Sequence, residues 1–399
     1  MLRQPLHPAL TLSAAALSAS LAAQSALLQV GPTRPFATIQ AAVAAANAGD
    51  AIEVDPGTYA AFTIVGKRLA VFANRGGGGT PTFTVTGAPA ITITGLASGD
   101  CVTIADALVT SSAAAPSILI DNQDQGHVRL LDVRVLAQTL GVVPFAGLIE
   151  ARHTTTVWLD GVRAGDHRFR ANGLGGSTGL AGLFVDACAL HLTRCVLEGL
   201  RSDDPALDSG EGLGIVGGGT AWLVDCSLLG GLPPLNALPG VHGGHAIHDR
   251  GGQSGPIRVC DNTLGTTDPT ASVFAVGGAP AFLAACLPDS IVRTRLPAGS
   301  GVLAVGTTTN LTVQANVPGR AFVTLLAGDF GTTTAPFLTG DLLIAGSFGI
   351  LAGGVLTGPT SITLPLPPAP TLTGLHGTAQ TVLVEATFIT STAAGFVVR

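Results

Sequence analysis

Apolar and polar residues alternate in one eight-residue pattern that recurs six times, at 102–109, 128–135, 157–164, 190–197, 221–228 and 257–264. The copies start 26, 29, 33, 31 and 36 residues apart, a spacing at which repeat architectures arise. The first and third positions are apolar and the second is polar or aromatic in most copies, so each copy opens as a strand with period two. The fifth position is Asp in four copies, Asp106, Asp132, Asp225 and Asp261, and Asp interrupts strands and favours turns. The sixth and eighth positions then resume an apolar or small face. A strand–corner–strand unit of this length cannot bury its own face. Stacking such units about 4.8 Å apart pairs every backbone group with the coil above and below. The pattern predicts an all-β chain built on a parallel β-helix.

Towards the N-terminus, residues 35–46 place Phe36, Ile39 and Val43 at helical spacing, with Pro35 at the start and Gly49 beyond the end, which predicts a short amphipathic helix closing the open end of the stack. Beyond Cys286 charges become scarce, and Thr- and Gly-rich strands alternate with turns, as in a small β-sandwich. The expected division is a signal peptide at 1–23, the β-helix at 30–288 and the sandwich module at 289–399.

The repeated copies resemble the right-handed parallel β-helix of the pectin-lyase-like superfamily, over roughly residues 30–285. The helix followed by Gly49-Asp50 and Asp55-Pro-Gly-Thr-Tyr59 is similar to the opening segment of pectin-methylesterase-like proteins. The paired Asp motifs of pectin methylesterases have no counterpart, so that activity is not implied. Asp203-Asp204 and the His242–His245 region touch the polygalacturonase pattern, but Pro205 follows the acids directly and the Arg-Ile-Lys element is missing. The resemblance implies lyase or hydrolase chemistry on a flank of the helix, where carboxylates and basic side chains meet. The stretch 364–380 is similar to C-terminal modules of secreted bacterial proteins, which implies attachment or spacing.

Composition narrows the function. Charged residues make up 11% of the chain, the net charge is −6 and Lys67 is the single lysine, so no basic footprint for nucleic acid exists. Arg3 and His7, an Ala/Leu/Ser-rich run and the small residues up to Ala23 read as a signal peptide, which predicts a secreted or cell-surface protein. No later run is long and apolar enough for a transmembrane helix, and a monomer is expected. Six cysteines suit an exported protein. Cys195 and Cys226 share the sixth position of neighbouring copies and are either stacked thiols or a disulfide. Cys260 and Cys286 form a second candidate pair.

Three groups of residues are candidates for chemistry. The second position reads Thr103, Arg129, Trp158, His191, Trp222 and Arg258 down the stack. Pointing outward, these make a substrate-binding column in which sugar rings stack on Trp158 and Trp222 and offer hydroxyls to Arg129, His191 and Arg258; long loops folding over the rings are the alternative. A second strand precedes each copy, and its expected outward column is Asp121, Glu150, Asp186, Val216 and His248. Three stacked carboxylates repel, which raises a pKa for general acid work or invites Ca²⁺. Arg152, His167 and Arg168 are in reach, so Asp121, Glu150, Asp186, Arg152 and Arg168 are the candidate catalytic set; solvated acids on an exposed strand are the alternative. The fifth-position aspartates imitate a calcium ladder but suit turn capping, and His242, His245, His248 and Asp249 form a local metal-ligand cluster. Together these point to a polysaccharide or cell-surface glycan as partner, bound and cleaved along the flank. A non-catalytic structural or adhesive protein is the alternative.

Overall fold

The computed structural model describes residues 26–74, 83–111, 115–123, 125–137, 142–143, 146–165, 172–173, 180–202, 204–251, 255–266, 274–276, 283–285, 291–297, 301–329, 338–339, 342–369, 372–373, 375–384 and 388–399. Its first part is a parallel β-solenoid. Each coil supplies a strand to a first flank, turns at the Asp corner, supplies a strand to a third flank, returns through a loop and reaches the second flank. The first flank is a ten-stranded parallel sheet running from Leu27–Val30 to Leu283–Ala285. The second and third flanks join in one sheet because the strand Phe83–Thr94 is long enough to pair with Ala107–Ser111 at one end and Ile118–Asp121 at the other.

The repeat sets the register. Leu130, Leu159, Leu192 and Leu223 are direct cross-strand partners on successive coils, and all four are buried in the solenoid core. The corner works because Asp106, Asp132, Arg194, Asp225 and Asp261 take φ values of 50° to 57°, and Gly161 fills the same place at 69°. This left-handed conformation is one that Asp tolerates through its short polar side chain. The ladder continues through the bend: Asp132 donates its amide to Asp160 O at 2.8 Å and Gly161 donates to Thr193 O at 2.9 Å. Amides just past the corners turn inward, where side chains of the next coil accept them. Cys195 N donates to Cys226 Sγ at 3.4 Å, Cys226 N to Asn262 Oδ1 at 2.6 Å, and Leu96 N to Asn122 Oδ1 at 3.2 Å. Cysteine and asparagine in the core therefore satisfy backbone donors that a wholly apolar lining would orphan.

The helix is Ile39–Ala45, capped by Thr38 Oγ1, with Ile39, Ala42 and Val43 in the solenoid core cluster. It starts later than the spacing predicts, and Lys67 Nζ donates to the carbonyls of Val43, Ala44 and Ala46 at its C-terminal end, where a cation favours the helix dipole.

The C-terminal part contributes a three-stranded antiparallel sheet, Val292–Arg295, Thr308–Ala315 and Thr360–Pro365, and a six-stranded sheet that includes Arg320–Asp329, Ala345–Leu356, His376–Leu383 and Phe388–Val398. The two sheets share one apolar cluster, with Leu311, Val313 and Ile362 from one meeting Phe322, Ala379 and Phe396 from the other. This module lies against the first flank of the solenoid. Val302 and Val397 pack on Phe72, Ala105 and Leu131, Leu343 and Ala393 pack on Trp158, and Ile291 packs on Val224 and Cys260. Arg399 pairs with the buried Glu53 at 2.5 Å at one end of the contact.

Candidate functional site

The expected substrate-binding column has the expected register: Thr103, Arg129, Trp158, His191, Trp222 and Arg258 are successive cross-strand partners. Its surroundings differ from the expectation, because the C-terminal module covers it. Trp158 and Arg129 are 0% exposed and His191 is 4% exposed, so neither Trp158 nor Arg129 offers a face to a sugar. Arg129 donates to Thr103 Oγ1 at 3.2 Å, to Gly377 O at 3.1 Å and to Thr378 Oγ1 at 3.2 Å. A Cβ on Gly395 would lie 3.0 Å from both Arg129 and Trp158, and the bare backbone there lets the module close on the ring. Trp222 is half-buried, edge-on to His191 at 5.9 Å, and Arg258 is exposed. The module covers the Arg129 and Trp158 part of the column, which is an interface.

On the second flank the expected acid column separates into two. Asp121, Arg152 and Asp186 are direct neighbours on three coils, whereas Glu150 aligns with Leu119 and Phe184, and Gly214 with His248. The three carboxylates therefore do not stack, and a guanidinium stands between Asp121 and Asp186. Arg152 Nη2 bonds Glu150 Oε2 at 2.5 Å. Glu150 is 1% exposed, and its other oxygen accepts the amides of Ala146 and Gly147, where the return loop comes back to the sheet. Glu150 is a buried anchor for Arg152. The exposed part of this group is Asp121, Arg152 and His153, with His153 Nδ1 3.5 Å from Asp121 Oδ1. His153 was not among the residues singled out from the sequence. It occupies the other left-handed corner, at φ 46°, a position the eight-residue pattern does not reach. Arg168 and His167 lie outside the described residues.

A second Arg–Glu pair lies further along the same flank. Arg250 Nε bonds Glu211 Oε1 at 2.5 Å, and its guanidinium sits 5.3 Å from the centre of the Phe184 ring. Glu211 is 1% exposed, and Gly214 makes room for it, since a Cβ there would stand 2.4 Å from its carboxylate. These residues also went unnoticed, because Glu211 sits in a return loop outside any strand period. His248 faces the same side, edge-on to His245 at 5.4 Å, and burial holds its imidazole below the usual pKa.

The metal-ligand cluster fails on alternation. His248 points outward, while Asp249 is fully buried on the inward column with Ile215, so the two side chains lie on opposite faces of the strand. His242 donates its amide to Asp208 Oδ1 at 2.6 Å. Among the described residues no group of three or more His, Cys, Asp or Glu side chains is placed to hold a metal ion. Two aspartates of the ladder are occupied by arginines of the module: Arg293 bonds Asp225 at 3.0 Å and also Asp261, and Arg295 bonds Asp225. Cys101, Cys188, Cys195 and Cys226 are buried thiols outside any disulfide, so the stacked pair is not a disulfide, and Cys260 is disulfide-bonded. Burial pushes the Cys195 thiol pKa well up, which makes it inert. No helix among the described residues is long and apolar enough to cross a membrane. Compared with protein-family models, curated proteins and solved structures, the chain matches none.

Proposed function

We propose that this is an exported β-helix protein of the pectin-lyase-like kind that binds an extracellular polysaccharide along its second flank, with the C-terminal sheets forming a sandwich module that shields the first. The observation that carries the reading is the group Asp121, Arg152 and His153 beside Asp186, in which Arg152 is held from behind by the buried Glu150. A guanidinium fixed by a buried carboxylate presents its remaining donors in one orientation, and flanking carboxylates accept hydroxyl protons. That is the chemistry of a polyhydroxylated ligand lying along the stack.

Cleavage takes a narrower form than the sequence suggests. Asp121 and Asp186 are two strand spacings apart, about 9.6 Å in the backbone, close to the roughly 6.5–9.5 Å that inverting hydrolases use between their two carboxyls. A non-catalytic adhesive protein is the second reading, favoured by the direct Arg152–Glu150 and Arg250–Glu211 pairs, which spend both buried carboxylates on positioning. Incubating the protein with neutral and acidic polysaccharides and assaying new reducing ends, beside the Asp121→Asn and Asp186→Asn variants, separates the two. Loss of product in both variants supports hydrolysis, and binding without product supports the adhesive reading.

A further inference from the structure

Among the described strands, the C-terminal module leaves one sheet edge unpaired. The strand Ala345–Leu356 lies at the end of the six-stranded sheet and, among the described strands, pairs only with Arg320–Asp329. Its twelve residues, AGSFGILAGGVL, include no charge and no proline. Natural edge strands are blunted by Lys, Pro or inward charges, because an unblunted row of backbone donors and acceptors pairs with another chain. Of the seven large hydrophobic side chains that the described residues leave exposed, four lie on or beside this sheet: Phe348 at 54%, Ile350 at 51%, Val355 at 57% and Val384 at 42%. In the neighbouring strand Arg320–Asp329 the ionisable residues are confined to its two ends.

We propose that this edge is a dimer interface, and that its occupant is a second copy of the same strand, paired antiparallel about a two-fold axis. Charge selects this occupant. The chain carries a net charge of −6, so two copies repel wherever charged surfaces face each other, and a strand without an ionisable group is where they meet without that cost. A basic protein finds no acid on the strand to grip, and an anionic membrane surface finds none of the Lys or Arg that interfacial binding uses. Two-fold pairing is self-complementary, since each residue meets its mate in both directions. A register centred on Gly349 sets Phe348 of one copy opposite Ile350 of the other, an aromatic–β-branched cross-strand pair of the stabilising kind. Such a dimer departs from the monomer expected from the sequence.

Sedimentation velocity on the full chain over about 1–100 μM tests this. The expected result is a concentration-dependent doubling of mass that persists in about 1 M NaCl, since screening does not weaken apolar association. Ile350→Lys and Phe348→Lys should each hold the protein at monomer mass with an unchanged circular dichroism spectrum. Val65→Lys, which removes an equally exposed apolar residue from the solenoid (59%), should still dimerise. Wild type remaining monomeric throughout the range overturns the proposal. So does a dimer that survives in both strand variants, or one lost equally in Val65→Lys.

Discussion

Arg129 and Trp158 occupy neighbouring coils, and the guanidinium carbon of Arg129 lies 5.5 Å from the centre of the Trp158 ring. Both are sealed beneath Gly377, Thr378 and Gly395 of the C-terminal module. Replacing Arg129 by Met leaves the Gly377 carbonyl buried without this donor, at a cost of about 1–3 kcal/mol. Gly395→Val should cost at least as much by forcing the module off the ring. Thermal unfolding of the two variants measures this, and unchanged midpoints would mean that the module does not rest on the column.

The same contact fixes the fluorescence. Trp158 is fully buried while Trp222 is half-buried, so acrylamide should quench Trp222 alone. The Trp222→Phe variant should emit at short wavelength and resist quenching. If instead Trp158 is the quenchable ring, the first flank is open.

Two groups at the contact between the module and the first flank titrate in opposite senses. Burial, reinforced by Arg129 and Arg68, holds His376 well below 6.5, so its contribution to stability is full above the unfolded value and is lost as the pH falls below about 6.5. Burial, with help from Asp132 and against Arg194, pushes Asp160 up to about 6, so its contribution is full below 3.8 and is lost as the pH rises through about 6. Unfolding midpoints between pH 8 and pH 4 should therefore fall less steeply for His376→Gln than for wild type, and more steeply for Asp160→Asn. Identical slopes in all three proteins would place both groups in water.

Asp225 receives Arg293 and Arg295, and Arg293 is largely buried. Asp225→Ala should cost about 1–3 kcal/mol, because the buried Arg293 loses an acceptor. Addition of EDTA should leave the midpoint unchanged. A midpoint lowered by EDTA and restored by calcium would mean that the aspartate ladder holds the ion after all.

The inward leucine column was legible because a period-two pattern fixes which side chains share a face, and direct register put Leu130, Leu159, Leu192 and Leu223 together. Truncating Leu192 to Ala should cost about 2–5 kcal/mol in a chemical unfolding experiment. Two features were not legible. On the second flank a shift of two residues leaves alternation intact, so Glu150 and Arg152 were equally good partners for Asp121 by pattern; the hydrogen-bond ladder chooses Arg152. The burial of Arg129 depends on Gly377, 248 residues away, and no local period carries a contact of that range. Outward therefore did not mean exposed.

The central proposal is polysaccharide binding on the second flank by Arg152 and its neighbours, and a glycan array compared between wild type and Arg152→Ala tests it most directly. Losing one well-placed charged donor is worth about 1.5–3 kcal/mol, so retained glycans should bind the variant about 10- to 150-fold more weakly, while Arg258→Ala on the first flank binds them as wild type does. Wild type that binds no glycan, or an Arg152→Ala protein that binds as tightly as wild type, contradicts the assignment of the site.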